Sequence, residues 1–251
     1  MPFTFSHPAI VLPFLKQREK IFSATGLIVG SMAPDFESFI RIDETKIYSH
    51  SWPGMFWFDL PLAFIICVVF HSIVRKPLIE NLPRALAERF MIYKDLKWFS
   101  YLRRNFVIVI ISLLVGIASH LLWDAFTHLN LHDPDSTRSK LRFGHMRLYI
   151  FLQYSCSLIG IVFIIWAINR LPRTREKSGS TVKFQYWLFV ALFAVLAGVY
   201  LYTGVYYEIQ MNTYAEGYLI DLIYICISSL LASLILVSLL YTLFYKKKSI
   251  D

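Results

Sequence analysis

The apolar run 106–127 carries His120 and Asp124, and His128 follows four residues later. Residues four apart in a helix share a face and lie about 6 Å apart along the axis. A His-x3-Asp pair can therefore chelate one metal ion from a single face. His128 continues the row while drifting around the helix toward its end. An ionised Asp at mid-membrane costs about 2.5–3.5 kcal/mol on insertion scales. The fold must pair it, hydrate it or give it a cation. The alternative is that His120 and Asp124 only bond neighbouring helices together; the i, i+4, i+8 row favours a metal site.

Other polar residues stand in equally apolar surroundings. In "GSMAPDFE", residues 30–37, a short apolar segment ends at Pro34, and Asp35 and Glu37 follow. Pro-Asp is common turn chemistry, yet zinc generally takes four N, O or S donors, so a centre on His120 and Asp124 needs further ligands. His7 lies in "SHPA" and His50 in "YSHSWPG". Asp59, in "WFDLP", is either a carboxylate that orients a ligand histidine or an interfacial residue. His132 and His145 belong to the polar loop "NLHDPDSTRSKLRFGHMR" and are expected to be solvated. Arg142 and Arg147 in that loop either hold a phosphate or acidic head group or are simply exposed. Asp133-Pro134-Asp135 is a turn and lacks the spacing of a calcium loop. Other templates fail, since G-x-S-x-G, a Walker loop and H-E-x-x-H are all absent.

The elements that must position these residues follow from composition. Hydrophobic residues make up 57% of the chain and charged residues 17%, against about 45–50% and about 25% in soluble domains. Mean hydropathy is +0.53. The class is therefore all-α, a polytopic membrane helical bundle. Five stretches reach the roughly 20 apolar residues a span needs: about 55–74, 106–127, 148–168, 184–205 and 218–245. Residues 21–34 are apolar but short, and predict a buried or re-entrant helix near the N-terminus. Residues 1–251 are expected to form a single integral membrane domain. Within it, 1–54 is an N-terminal motif region, 55–128 holds the first two spans and 148–245 three more.

The net charge of +8 fits basic cytoplasmic loops better than nucleic acid, because no aromatic stacking platform is interleaved with the basic residues. Loop 75–104 has eight Lys and Arg, loop 169–183 five and the tail after 245 three, so one side carries 16 of 25. That side is expected to be cytoplasmic, with the C-terminus. Loop 75–104 then lies along the interface as short amphipathic helices. Six of the seven histidines gather on the opposite, outward side, and only His71 falls at the inner end. Cys67, Cys156 and Cys226 lie in apolar runs with no pairing pattern, which predicts buried free thiols. The N-terminus is not a signal peptide by pattern, because its basic residues follow the apolar part.

Taken together, "MPFTFSHPAIVLP", "GSMAPDFESF", "SHSWPGMFWFDLP", "GIASHLLWDAFTH" and "LYIFLQYSCSLIG" make the sequence resemble the uncharacterised bacterial membrane family called domain of unknown function 4184. The likeness covers nearly all of the chain to about residue 170; the last two spans match only in apolar character. More distantly, the order His, Pro-Asp, His-Ser, His-x3-Asp is similar to bacterial inner-membrane proteins described as metal-dependent hydrolases and to zinc-dependent phospholipase C. That resemblance implies His7, Asp35, His50, His120 and Asp124 as ligands of a divalent metal, zinc first, with His128 as an extra ligand. It implies Asp35 or Glu37 as the catalytic proton acceptor, and an inner-membrane location. The expected function is hydrolysis at the outer leaflet, on a membrane lipid or lipid-linked phosphoester. The rival is a non-enzymatic membrane protein whose His/Asp cluster is structural or handles protons or metal ions. Transport is disfavoured because the inner halves of the spans are nearly bare of polar residues apart from His71.

Overall fold

A computed structural model of the chain describes residues 3–17, 21–43, 45–127, 141–144, 146–174, 184–212 and 218–247. Among these residues, five helices are long and apolar enough to cross a membrane: Trp52–Asn81, Phe106–Thr127, Leu148–Arg170, Phe184–Gly204 and Asp221–Phe244. The predicted all-α class and the five spans are therefore what is seen.

The described chain divides into two compact units. The first comprises residues 1–36, 48–67 and 99–171. It opens with a tight turn, Thr4–Ser6, and helix α1, Pro8–Gln17. Helix α2, Ala24–Gly30, follows, and then the turn Ala33–Asp35. The unit also holds the start of helix α4, Trp52–Asn81, and helix α7, Phe106–Thr127. A two-stranded hairpin, β1 Arg142–Phe143 and β2 Met146–Arg147, leads directly into helix α8, Leu148–Arg170. Residues 21–34 thus form a short, largely buried helix, as expected, with Gly26, Leu27, Val29 and Gly30 all inside.

The second unit comprises residues 37–47, 68–98 and 172–251. It takes most of helix α3, Phe36–Arg41, the end of α4, helix α5, Arg84–Phe90, and the start of helix α6, Trp98–Arg104. The long helices α9, Phe184–Asn212, and α10, Tyr218–Lys247, complete it. Its core is pinned by buried polar contacts. The Tyr186 and Ser238 hydroxyls are 2.8 Å apart, and Trp187 Nε1 donates to Asn81 O at 2.6 Å. His71 stacks on Trp98 with ring centroids 4.3 Å apart, and Arg75 Nη1 donates to His71 Nδ1 at 2.9 Å.

The first span is longer than expected. It starts at Trp52 and runs to Asn81, so loop 75–104 begins inside a helix. The reason lies in its prolines. A proline in a helix lacks an N–H and its ring presses on the carbonyl four residues back. For Pro61 and Pro77 those carbonyls belong to Trp57 and Ile73. Each sits in a widened π turn, Met55–Asp59 and Phe70–Val74. There the Leu60 N–H reaches Met55 O and the Arg75 N–H reaches Phe70 O, five residues back. The wide turns absorb both prolines and the helix continues. It stops at Leu82, which precedes Pro83 and is extended, ψ 149°, as a residue before proline prefers. Of the three free thiols, Cys67 is buried as expected, whereas Cys156 is half-buried and Cys226 exposed on its span.

Candidate metal centre

Two close helix approaches build the centre, both inside the first unit. Helix α7 buries one stripe: Val109, Ser112, Leu113, Gly116, Ile117, His120, Leu121, Asp124 and Thr127. That is the three-four spacing of a single helical face, so His120 and Asp124 point the same way as the packing residues. Helix α2 lies against this stripe through glycines. A Cβ on Gly116 would stand 2.5 Å from Leu27 O and 2.8 Å from Ser31 N, and one on Gly26 would stand 2.8 Å from Ser112 Cβ. Small residues at a membrane helix crossing let backbones meet in this way. The contact is locked at its start, where the Ser23 N–H donates to Ser112 Oγ at 2.8 Å. Ser23 Oγ in turn caps α2 by accepting the Gly26 N–H.

The approach puts the end of α2 on His120. His120 Nδ1 lies 2.8 Å from Ser31 O. A carbonyl only accepts, so Nδ1 carries the proton and a neutral His120 presents its Nε2 lone pair. The second approach is between α8 and the N-terminal turn. Phe3 N–H donates to Ser157 Oγ at 2.8 Å, and a Cβ on Gly160 would meet Ser6 at 2.9 Å. The turn carries His7, whose Nδ1 is 3.2 Å from Thr4 O. Its Nε2 is therefore also the free position. The His7 and His120 rings stack, centroids 4.0 Å apart.

His50 arrives on the segment before α4. Its backbone is left-handed, φ 57°, which an L residue other than glycine adopts only where the surroundings enforce it. Its Nδ1 lies 2.9 Å from Ser49 Oγ, and its side chain is 18% exposed. Asp35 comes from the turn after α2 and is 1% exposed.

Four donor atoms converge. His50 Nε2 is 3.2 Å from His120 Nε2, 3.2 Å from Asp124 Oδ2 and 3.5 Å from Asp35 Oδ1. His120 Nε2 is 3.5 Å from Asp124 Oδ2 and 3.7 Å from Asp35 Oδ1. A tetrahedral ion with bonds of about 2.05 Å separates its ligands by about 3.3 Å. Five edges of this tetrahedron thus fall close to the required length, and all four atoms lie within 4.8 Å of one another. His7 stands just outside the set. Its Nε2 is 3.2 Å from Asp124 Oδ1, the other oxygen of the same carboxylate. With both Nδ1 protons committed to carbonyls, neutral His7 and His120 turn lone pairs toward carboxylate oxygens that are themselves acceptors. A cation or a proton has to lie between them.

Of the residues singled out by sequence, His7, Asp35, His50, His120 and Asp124 come together. Asp59 is fully buried at the end of the first π turn of α4. Glu37 is buried in the second unit, where Oε1 accepts the Ile47 N–H at 2.9 Å and closes the segment 37–47. His128, His132 and His145 lie outside the described residues. Sequence reasoning did not find Ser31, Thr4 and Ser49, which orient the three imidazoles. It also missed Gly26 and Gly30, although their small-x3-small spacing is the usual signal for a close helix crossing.

A family model described as Domain of unknown function (DUF4184) matches residues 1–239. No curated protein and no solved structure matches the chain.

Proposed function

The chain belongs to this family of unknown function, and from its own geometry we propose that it is a membrane-embedded hydrolase dependent on a divalent metal, zinc first. The observation that carries this reading is the convergence of Asp35, His50, His120 and Asp124 at tetrahedral spacing. Two carboxylates offset the charge of a dication, and neutral imidazoles complete a donor set that suits zinc. Such an ion would act as a Lewis acid toward an ester oxygen and, with His50, His120 and Asp124 holding it and Asp35 released to serve as base, would carry a water in the fourth position and make it acidic enough to deliver hydroxide near neutral pH.

The chain's residues divide the remaining work. His120 is oriented by Ser31 O and held rigidly between α2 and α7. Asp124 faces the cluster through Oδ2 and His7 through Oδ1, so His7 sets the angle of that carboxylate. His50 is the most exposed of the four donors, and the side it occupies is where a substrate oxygen approaches. Asp35 is the carboxylate beside His50 and accepts the proton of the attacking water; Glu37 already accepts the Ile47 N–H. The setting in a membrane span supports a substrate carried by the bilayer, a lipid or lipid-linked phosphoester, at the outer leaflet of the bacterial inner membrane.

One observation favours a second reading. Four protein donors, three of them at least nine-tenths buried, suit a closed structural site. In that case the cluster holds metal and does no chemistry. Elemental analysis of detergent-purified protein, followed by a phosphatidylglycerol hydrolysis assay in mixed micelles, separates the two. Stoichiometric metal with headgroup release that is lost in Asp35→Asn supports the hydrolase. Stoichiometric metal without release supports the structural site, and no metal after reconstitution overturns both.

A further inference from the structure

We propose that the hairpin at the head of α8 is a seat for the phosphate of an anionic membrane lipid, gripped by Arg142 and Arg147. The site is independent of whether the cluster binds metal. In the hairpin Arg142 pairs with Arg147 and Phe143 with Met146. Residues directly opposite in an antiparallel pair share one face, and the next pair points to the other. The hairpin is therefore two-sided, with two arginines on one face and Phe143 and Met146 on the other. All four are exposed. Gly144, with φ 60°, allows the tight reversal between the strands.

Like charges placed directly opposite each other across two strands destabilise the pair. Among the described residues neither guanidinium meets a carboxylate. Among the described residues nothing offsets the repulsion between the two paired cations, and an anion between them would. Guanidinium forks suit phosphate because each offers parallel donors to two oxygens.

Position selects the source of that phosphate. Leu148, the first residue of the α8 span, follows Arg147 directly. The hairpin thus sits where the span enters the membrane, at headgroup depth. The Phe143 ring stacks on Phe151 of α8 with centroids 4.4 Å apart, which holds the apolar face against the span. Phe143 is 60% and Met146 44% exposed, and such side chains belong in the acyl boundary instead of water. A free phosphate would make no use of them. Because α8 is the span after α7, the hairpin is also on the side of the membrane where α7 ends, the end that carries Asp124.

The test uses the full chain in detergent, incubated with mixed micelles of phosphatidylglycerol and phosphatidylcholine, with retained lipid counted after repurification. Wild type is expected to enrich phosphatidylglycerol. Each basic residue near an anionic surface contributes about fivefold, so R142Q/R147Q is expected to lose about 25-fold of that preference. R142K/R147K, which keeps charge but loses the fork, should fall between. Equal enrichment in wild type and R142Q/R147Q overturns the seat. Displacement of the lipid by excess inorganic phosphate overturns the lipid assignment and leaves a free-phosphate site. Should the double variant fail to fold, the single variants R142Q and R147Q carry the same test, each expected to lose about fivefold.

Discussion

Gly116→Ala probes the link between helix packing and the candidate metal centre without touching any of its four donors. Its new Cβ would lie 2.5 Å from Leu27 O, 2.8 Å from Ser31 N and 2.9 Å from Gly30 Cα, where ordinary contact begins at 3.4 Å. These are backbone atoms and cannot rotate away. Helix α2 must recede by the difference, 3.4 − 2.5, or about 0.9 Å. Ser31 O moves with it, and its 2.8 Å contact with His120 Nδ1 stretches toward about 3.7 Å, past the length at which a hydrogen bond survives. Losing the partner that orients a ligand histidine typically lowers metal affinity by about 10–100-fold, and the overpacking itself costs about 1–3 kcal/mol. Competition with a chelating dye measures the first quantity and thermal unfolding the second. Gly198→Ala is the control, because its Cβ would meet the Ser229 side chain at ordinary contact distances, 3.5 Å to Oγ and 3.9 Å to Cβ. A folded Gly116→Ala protein that holds zinc as tightly as wild type would refute the claim that α2 positions His120.

Zinc at 100 times its Kd should stabilise wild type by about 2.7 kcal/mol; Asp124→Ala should abolish that increment, and an unchanged zinc-dependent rise in Tm would count against the site. Ser112→Ala removes the acceptor of the buried Ser23 N–H and should cost about 1–3 kcal/mol, read by denaturant unfolding, while a neutral result would mean the α2–α7 contact is carried by the glycines alone. Gly160→Ala should push the Thr4–Ser6 turn off α8 and shift His7; since His7 lies outside the four-donor set, zinc affinity should fall less than in Gly116→Ala, and an equal fall would make His7 a ligand.

The spans and the row on α7 were legible because each depends on local sequence. Apolar length marks a membrane helix, and i, i+4 spacing puts His120 and Asp124 on one face whatever surrounds them. The ends of the first span were less legible. Pro61 and Pro77 are ordinary break signals, and only the π turns around Trp57 and Ile73 let the helix run from Trp52 to Asn81. The partners of the row are separated from it by 70 to 117 positions. Their types and apolar surroundings, with a family likeness, nominated them; no spacing rule brings them together.

The orientation of the imidazoles is the least legible part, because it is decided by main-chain atoms. A helix leaves carbonyls unsatisfied in its last turn. Ser31 follows α2 directly and Thr4 opens the N-terminal turn, and their carbonyls fix the protons of His120 and His7. Any residue types at positions 4 and 31 would offer the same oxygen, so side-chain patterns carry no trace of the role. What the sequence does carry is the condition for it: Gly26, Gly30 and Gly116 let α2 come close enough for its terminal carbonyl to reach His120. Packing of small residues thereby commits the Nδ1 proton of His120 to a main-chain carbonyl and leaves Nε2 as the atom that faces the carboxylates, where a cation or a second proton completes the contact.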